Sequence, residues 1–368
     1  MTSRRRALVV GTLASFAAAV PAAASAKPFI DNFSKIKVIA STVPATGAAM
    51  GDQNPYGVAV VPHSSGRLVK GDVLVSNFNN AQNQQGTGSS IMELSPGGKV
   101  SVFAVVPRPT TAPAVGLTTA LVVLRSGYVV VGSLPAPGGS SSAARGGALT
   151  ILNASGHVVK TLSGGDINGP WDMTAVDQGT SAVLFVTNVL NGTVGAGGMV
   201  VKHGTVIRIG LRIHNGEIPH VTSNQVIARG FAEHTDPSAL IVGPTGVGLG
   251  RNDVLYVADS NGNRIAAVPN ALTRTTALGG GGNTVAVDVS LMDPLGLAIA
   301  PNGDVITANG GDGSIVETTP SGHRSSKTLI PNGAGDLFGL AIAPKGHGLY
   351  FVDDAGSGAG SNSLSLLH

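Results

Sequence analysis

Asn54-Pro55-Tyr56-Gly57-Val58-Ala59-Val60 reads as a turn running into a strand. Pro, a variable residue and Gly punctuate the chain, and an alternating apolar run follows. The pattern returns at Gly243-Pro244-Thr245-Gly246-Val247 and at Asp293-Pro294-Leu295-Gly296-Leu297-Ala298-Ile299. Asp336-Leu337-Phe338-Gly339-Leu340-Ala341-Ile342 keeps it without the Pro. Weaker copies are Ala114-Val115-Gly116-Leu117 and Gly169-Pro170-Trp171-Asp172-Met173, the latter with Asp in the Gly position. Six copies in one chain mean a repeat architecture.

Each copy is followed by a second apolar strand, as in Val73-Leu74-Val75, Val183-Leu184-Phe185-Val186 and Val254-Leu255-Tyr256-Val257. Third strands such as Thr205-Val206-Ile207-Arg208-Ile209 follow, and turns such as Pro96-Gly97-Gly98-Lys99 lead to a fourth. Four short antiparallel strands per repeat describe propeller blades. The fold expected is therefore all-β: a six-bladed β-propeller of four-stranded antiparallel blades. The sixth copy runs out of chain after three strands, ending at His368. Lys35-Ile36-Lys37-Val38-Ile39-Ala40 precedes the first copy and can supply the missing strand, closing the ring and covering an edge.

The motif positions are 59, 56, 50 and 43 residues apart, except for 74 between Asp172 and Gly246. That gap implies an insertion in blade three, at about 189–240. Gly279-Gly280-Gly281-Gly282 has no helix after it to hold a phosphate, so it reads as a connection between blades.

Residues 1–26 read as an export signal: Arg4-Arg5-Arg6, an Ala-rich apolar stretch, then Ala24-Ser25-Ala26. Ser3-Arg4-Arg5 with Leu8 also fits a twin-arginine signal, although Ala7 stands where Phe is preferred. The expected organisation is a signal at 1–26 and a single propeller at 27–368, in the periplasm or secreted, with no membrane span after cleavage and a monomeric state. The formal charge of +3 belongs to that signal, because 20 Lys and Arg oppose 20 Asp and Glu from Lys27 onward. A neutral chain lacks the basic surface that nucleic-acid binding needs. The absence of Cys excludes disulfides, thiolate metal sites and a cysteine nucleophile.

Asp253-Val254-Leu255-Tyr256-Val257-Ala258-Asp259-Ser260-Asn261-Gly262-Asn263-Arg264-Ile265 resembles the NHL repeat, in which an apolar strand runs into Ala-Asp-Ser, Asn and Arg. Looser copies are Thr307-Ala308-Asn309 and Phe351-Val352-Asp353-Asp354. The resemblance implies a six-bladed propeller but no single activity, since its members include ligand binders, RNA binders, lyases and protein-interaction modules.

In such propellers the first strand starts, and the second ends, at one face. The position before the motif Gly then contributes Tyr56, Val115, Trp171, Thr245, Leu295 and Phe338 to a channel mouth. The second-strand ends contribute Asn77, Ser133, Asn188, Asp259, Asn309 and Asp353. Tyr56, Phe338 and the sole Trp share one repeat position although the chain has only 14 aromatic residues. They either plug the channel or meet a flat, apolar or sugar-like ligand, and Trp171 fluorescence should then respond unless that side chain is wholly buried. The Asn/Asp ring either caps strands or holds a polar ligand. No cofactor is expected; calcium is possible but not indicated, since it needs six to eight oxygens with several carboxylates.

The expected function is an exported binding module for a small molecule, glycan or protein, without chemistry. The alternative is a propeller hydrolase or lyase. In the lactonase propellers the metal ligands tend to precede the motif Gly, and here no carboxylate does. Glu233-His234-Thr235-Asp236 could supply acid–base groups, but reads first as a solvated loop.

Overall fold

The computed structural model describes residues 27–108, 114–214, 216–355 and 361–368. The export signal expected at 1–26 lies outside them. Six antiparallel sheets of four or five strands form a ring, and the remaining regular structure is short 3₁₀ turns. Blades one and two begin with inner strands Gln53–Val60 and Leu117–Val123; blades three and four begin with Pro170–Asp177 and Pro244–Leu249. Pro294–Ile299 and Leu337–Ile342 are the inner strands of blades five and six. Each inner strand packs against the next, and the last packs back on the first. The cores lie between successive blades; Leu74, Phe103 and Leu117 form one, and Phe185, Phe231 and Leu255 another.

Closure follows the sequence expectation. Ile36–Ser41 pairs with Ser363–Leu367 as the outer strand of blade six. The residues before it are clasped to blade five: Glu317 accepts hydrogen bonds from the backbone N–H groups of Phe29 and Ile30, both at 2.8 Å.

The motif glycines are required by inter-blade approach. A Cβ on Gly339 would lie 2.1 Å from the Tyr56 carbonyl oxygen, and one on Gly246 2.2 Å from that of Leu295. In blade one the Ser76 hydroxyl accepts from the Gly57 N–H and donates to the Thr118 carbonyl of the next blade. Thr187 repeats this link between Asp172 and Thr245.

Two sequence expectations are corrected, and a further one, the blade-three insertion, takes on its form. In blade two the inner strand pairs Leu121 with Val131, as Val58 pairs with Val75 in blade one. Thr119 and Ala120 therefore hold the positions of Tyr56 and Gly57. Val115 lies in the core between blades one and two, not at the mouth. The blade-three excess is mostly an extended hairpin, Val201–Arg212 with His220–Asp236, to which the short strand Leu240–Val242 is added. The second correction concerns the four-glycine run, which joins the third and fourth strands of blade four rather than two blades. It docks on blade three through the Gly281 N–H and the Arg229 carbonyl.

Candidate functional site

The inner strands bring Tyr56, Thr119, Trp171, Thr245, Leu295 and Phe338 to one end of the channel, where they line a cavity of about 240 Å³. Aromatic packing builds one wall. Tyr56 stacks on Phe338 with centroids 4.3 Å apart and on Phe78 at 4.5 Å, and the Trp171 ring stands edge-on to both Tyr56 and Phe78. Phe78, on the second strand of blade one, joins this cluster without a repeat-position signal in the sequence. Trp171 is 4% exposed and Phe338 8%. The rings are packed as a plug would be, yet they border open space.

The extended hairpin of blade three supplies the opposite rim. Its corner contributes Ser238, Ala239, Ile241 and Val242 to the lining. Gln85 of blade one reaches across and donates to the Ser238 carbonyl at 2.6 Å. The insertion thus overhangs the mouth.

The Asn/Asp ring behaves differently from the aromatic one. Asn77, Asn188, Asp259, Asn309 and Asp353 do not line the cavity. Asn77 Nδ2 donates to the Thr42 carbonyl and Asn309 Nδ2 to that of Ser290, while Asn188 accepts from the Asn168 N–H. Asp353 accepts from the Ala355 N–H. Asp259 accepts from Arg264 Nε at 2.7 Å, and Arg264 Nη2 reaches the Gly281 carbonyl. The Asp and Arg of the NHL-like stretch therefore brace a strand end. Ser133 bonds Ala148 of its own blade. Thr245 reaches the mouth, but its hydroxyl is taken up by Ser260 and the Pro294 carbonyl.

The carboxylates at the mouth come from other positions. Asp293, three residues before a motif Gly, and Asp354, one residue past a strand end, both line the cavity. The same offset places Asn54 there, and Asn54 and Asp293 both have positive φ, near 59° and 52°. Such backbones aim the side chains off the strand direction, so strand alternation could not locate them. Burial pushes the Asp354 carboxyl up to about 7, helped by the negative charges of Asp336 and Asp353. Burial also raises Asp293, aided by Asp236 and opposed by His234. The phenol of Tyr56 is raised by burial and then by these same two carboxylates. The objection that the mouth lacks carboxylates holds only for the position before the Gly.

Glu233-His234-Thr235-Asp236 is not a solvated loop. It is the end of a strand paired with Leu240–Val242. Glu233 is buried, accepts from the Thr193 hydroxyl at 3.0 Å, and is pushed up by burial to about 7. His234 Nδ1 lies 2.7 Å from Asn261 Nδ2 and its Nε2 4.0 Å from Asp236. Among the described residues, no group of three His, Cys, Asp or Glu is placed to hold a metal ion.

Asp172 occupies a different place. It lies where blades one, four, five and six carry the motif Gly and lines a funnel of about 490 Å³ together with Leu121, Val247 and Leu340. Its Oδ2 accepts from the Val247 N–H at 3.2 Å and its Oδ1 from the Met173 N–H at 2.8 Å. Burial nonetheless pushes its carboxyl up to about 8, so the backbone donors only partly offset desolvation. Thr119 and Gly296 border both funnel and mouth cavity.

No family model and no curated protein matches this chain. Solved structures do. Regucalcin from Agrobacterium tumefaciens, a calcium-binding protein, is similar with a TM-score of 0.54 at 12% identity, covering 91% of this chain and 93% of that one. A luciferin-regenerating enzyme gives 0.54 at 13%, covering 90% and 94%. A gluconolactonase from Xanthomonas campestris gives 0.51 at 15%, covering 86% of each. At such identities these likenesses show the propeller fold alone.

Proposed function

We infer that the mouth cavity is the functional site and that it takes a small molecule with one flat or apolar face. The observation carrying this reading is the pairing of a packed aromatic wall with two carboxylates that have no hydrogen-bonded partner among the described residues, around a space that stays open. Small-molecule sites typically combine an apolar wall with a few convergent polar groups. Binding without chemistry, of a small molecule or a sugar, uses only these features. The NHL resemblance and export to the periplasm or beyond accompany this proposal.

A hydrolase or lyase reading has its own support and stands at least level with the first. Asp354, at about 7, lies where a general acid or base works at neutral pH. Regucalcin and gluconolactonase, similar in fold, bind calcium and act as a lactonase by their names. One experiment separates the outcomes. Trp171 is the only tryptophan, so its emission can be followed while lactones, aryl glycosides and aromatic amines are added. Binding shifts the emission, and turnover appears as product. Leu295→Phe fills part of the cavity without adding a second tryptophan and should weaken both, with melting retained. Responses that cavity filling leaves unchanged would overturn the assignment.

A further inference from the structure

The charge at the mouth has one sign. Among the described residues, the acidic side chains lining the cavity are Asp293 and Asp354, and no Lys, Arg or His lines it. Neither carboxylate takes part in an ion pair. Two more acceptors are unused: the Oδ1 atoms of Asn54 and Asn79 are buried without a hydrogen-bond partner. Those residues line the same cavity and are only 7% and 2% exposed. Buried acceptors without donors are destabilising, and the two half-buried carboxylates, with the His234 ring as the one basic group acting on Asp293, add to that cost. Both costs fall when a positively charged donor enters. The wall beside them is aromatic, built of Tyr56, Trp171 and Phe338; both faces of Tyr56 are taken up by Phe78 and Phe338, so the wall offers a flat apolar surface.

We propose that the mouth cavity selects a monovalent organic cation: a primary or substituted ammonium on a flat, apolar body. The ammonium lies toward Asp293, Asp354 and the free amide oxygens, and the apolar body lies against Tyr56 and Trp171. The proposal rests on the reading of the mouth as the functional site and adds the sign of charge. A bare divalent metal fits less well, because two carboxylates and two amide oxygens fall short of the six to eight oxygens calcium takes.

The test uses three probes of one shape: phenethylammonium, 2-phenylethanol and phenylacetate. Emission from Trp171 is followed in the full chain. The cation should bind roughly tenfold or more tightly than the alcohol, the size expected of one charge-assisted hydrogen bond, and phenylacetate should bind weakest. Asp293→Asn and Asp354→Asn, made singly, should each reduce the preference for the cation over the alcohol. Equal affinity for cation and alcohol overturns the charge selection but leaves the mouth as the binding site. An emission change with calcium chloride that displaces phenethylammonium overturns it in favour of a metal site. If neither these probes nor the lactones, glycosides and amines above change the emission, the reading of the mouth fails, and this proposal with it.

Discussion

Replacing Asp172 with Asn should flatten the dependence of stability on pH. The carboxyl is held near 8 in the folded protein against an ordinary value of 3.8. Between those values the folded state keeps a proton that the unfolded state has lost. Stability therefore falls as pH rises, at about 1.4 kcal/mol per unit while the two states differ by one proton. From pH 5 to pH 8 this single group should remove roughly 3–4 kcal/mol. Asp354 and Glu233, each raised to about 7, push in the same direction, so the unmodified protein should be markedly more stable at pH 5. Asn has one acceptor where the acid offers two, so either the Met173 or the Val247 N–H loses its partner. That loss is a constant offset and leaves the slope untouched. Urea unfolding at both pH values, with and without the substitution, isolates the term. Parallel curves would refute the reasoning, because Asp172 would then be ionised at neutral pH despite its burial.

The remaining predictions concern the ring and its mouth. Phe78→Ala should cost about 3–5 kcal/mol and shift Trp171 emission to the red, because Phe78 is fully buried against that ring. Gly339→Ala should lower stability by about 1–3 kcal/mol, read from denaturation, since its Cβ would crowd the Tyr56 carbonyl at 2.1 Å. Glu317→Gln removes one of the two acceptors that hold Phe29 and Ile30, and should cost about 1–3 kcal/mol with earlier proteolysis of the first described residues. Deleting residues 27–41 should expose Ser363–Leu367 as an edge and produce aggregation, visible in light scattering.

The ring was legible because its signals are local and repeated. A turn, a Gly and an alternating strand recur often enough to count blades, and the unpaired edge of blade six points to its partner. Blade two shows how the pattern can mislead. Gly116 has φ near 65° and a Cβ there would sit 2.5 Å from the Leu134 carbonyl, so loop crowding rather than the repeat demands that glycine. The true repeat position, Thr119-Ala120, carries no Gly and left no signal. The aromatic half of the mouth was readable from one repeat position. The polar half was not. The strand-end Asn and Asp residues are spent on nearby backbone groups and, for Asp259, on the Arg264 side chain, and the carboxylates that reach the cavity stand on turns. The overhang of the blade-three hairpin depends on a tight turn that pairs Asp236 with Leu240, whose φ is near 63° with no Gly to announce it.

The most direct test of the account is a crystal structure of the full chain with phenethylammonium bound. The account predicts density in the mouth cavity, with the ammonium near Asp293 and Asp354 and the ring against Tyr56 and Trp171. Density in the funnel beside Asp172, or on the outer surface of the blades with the mouth empty, would contradict it.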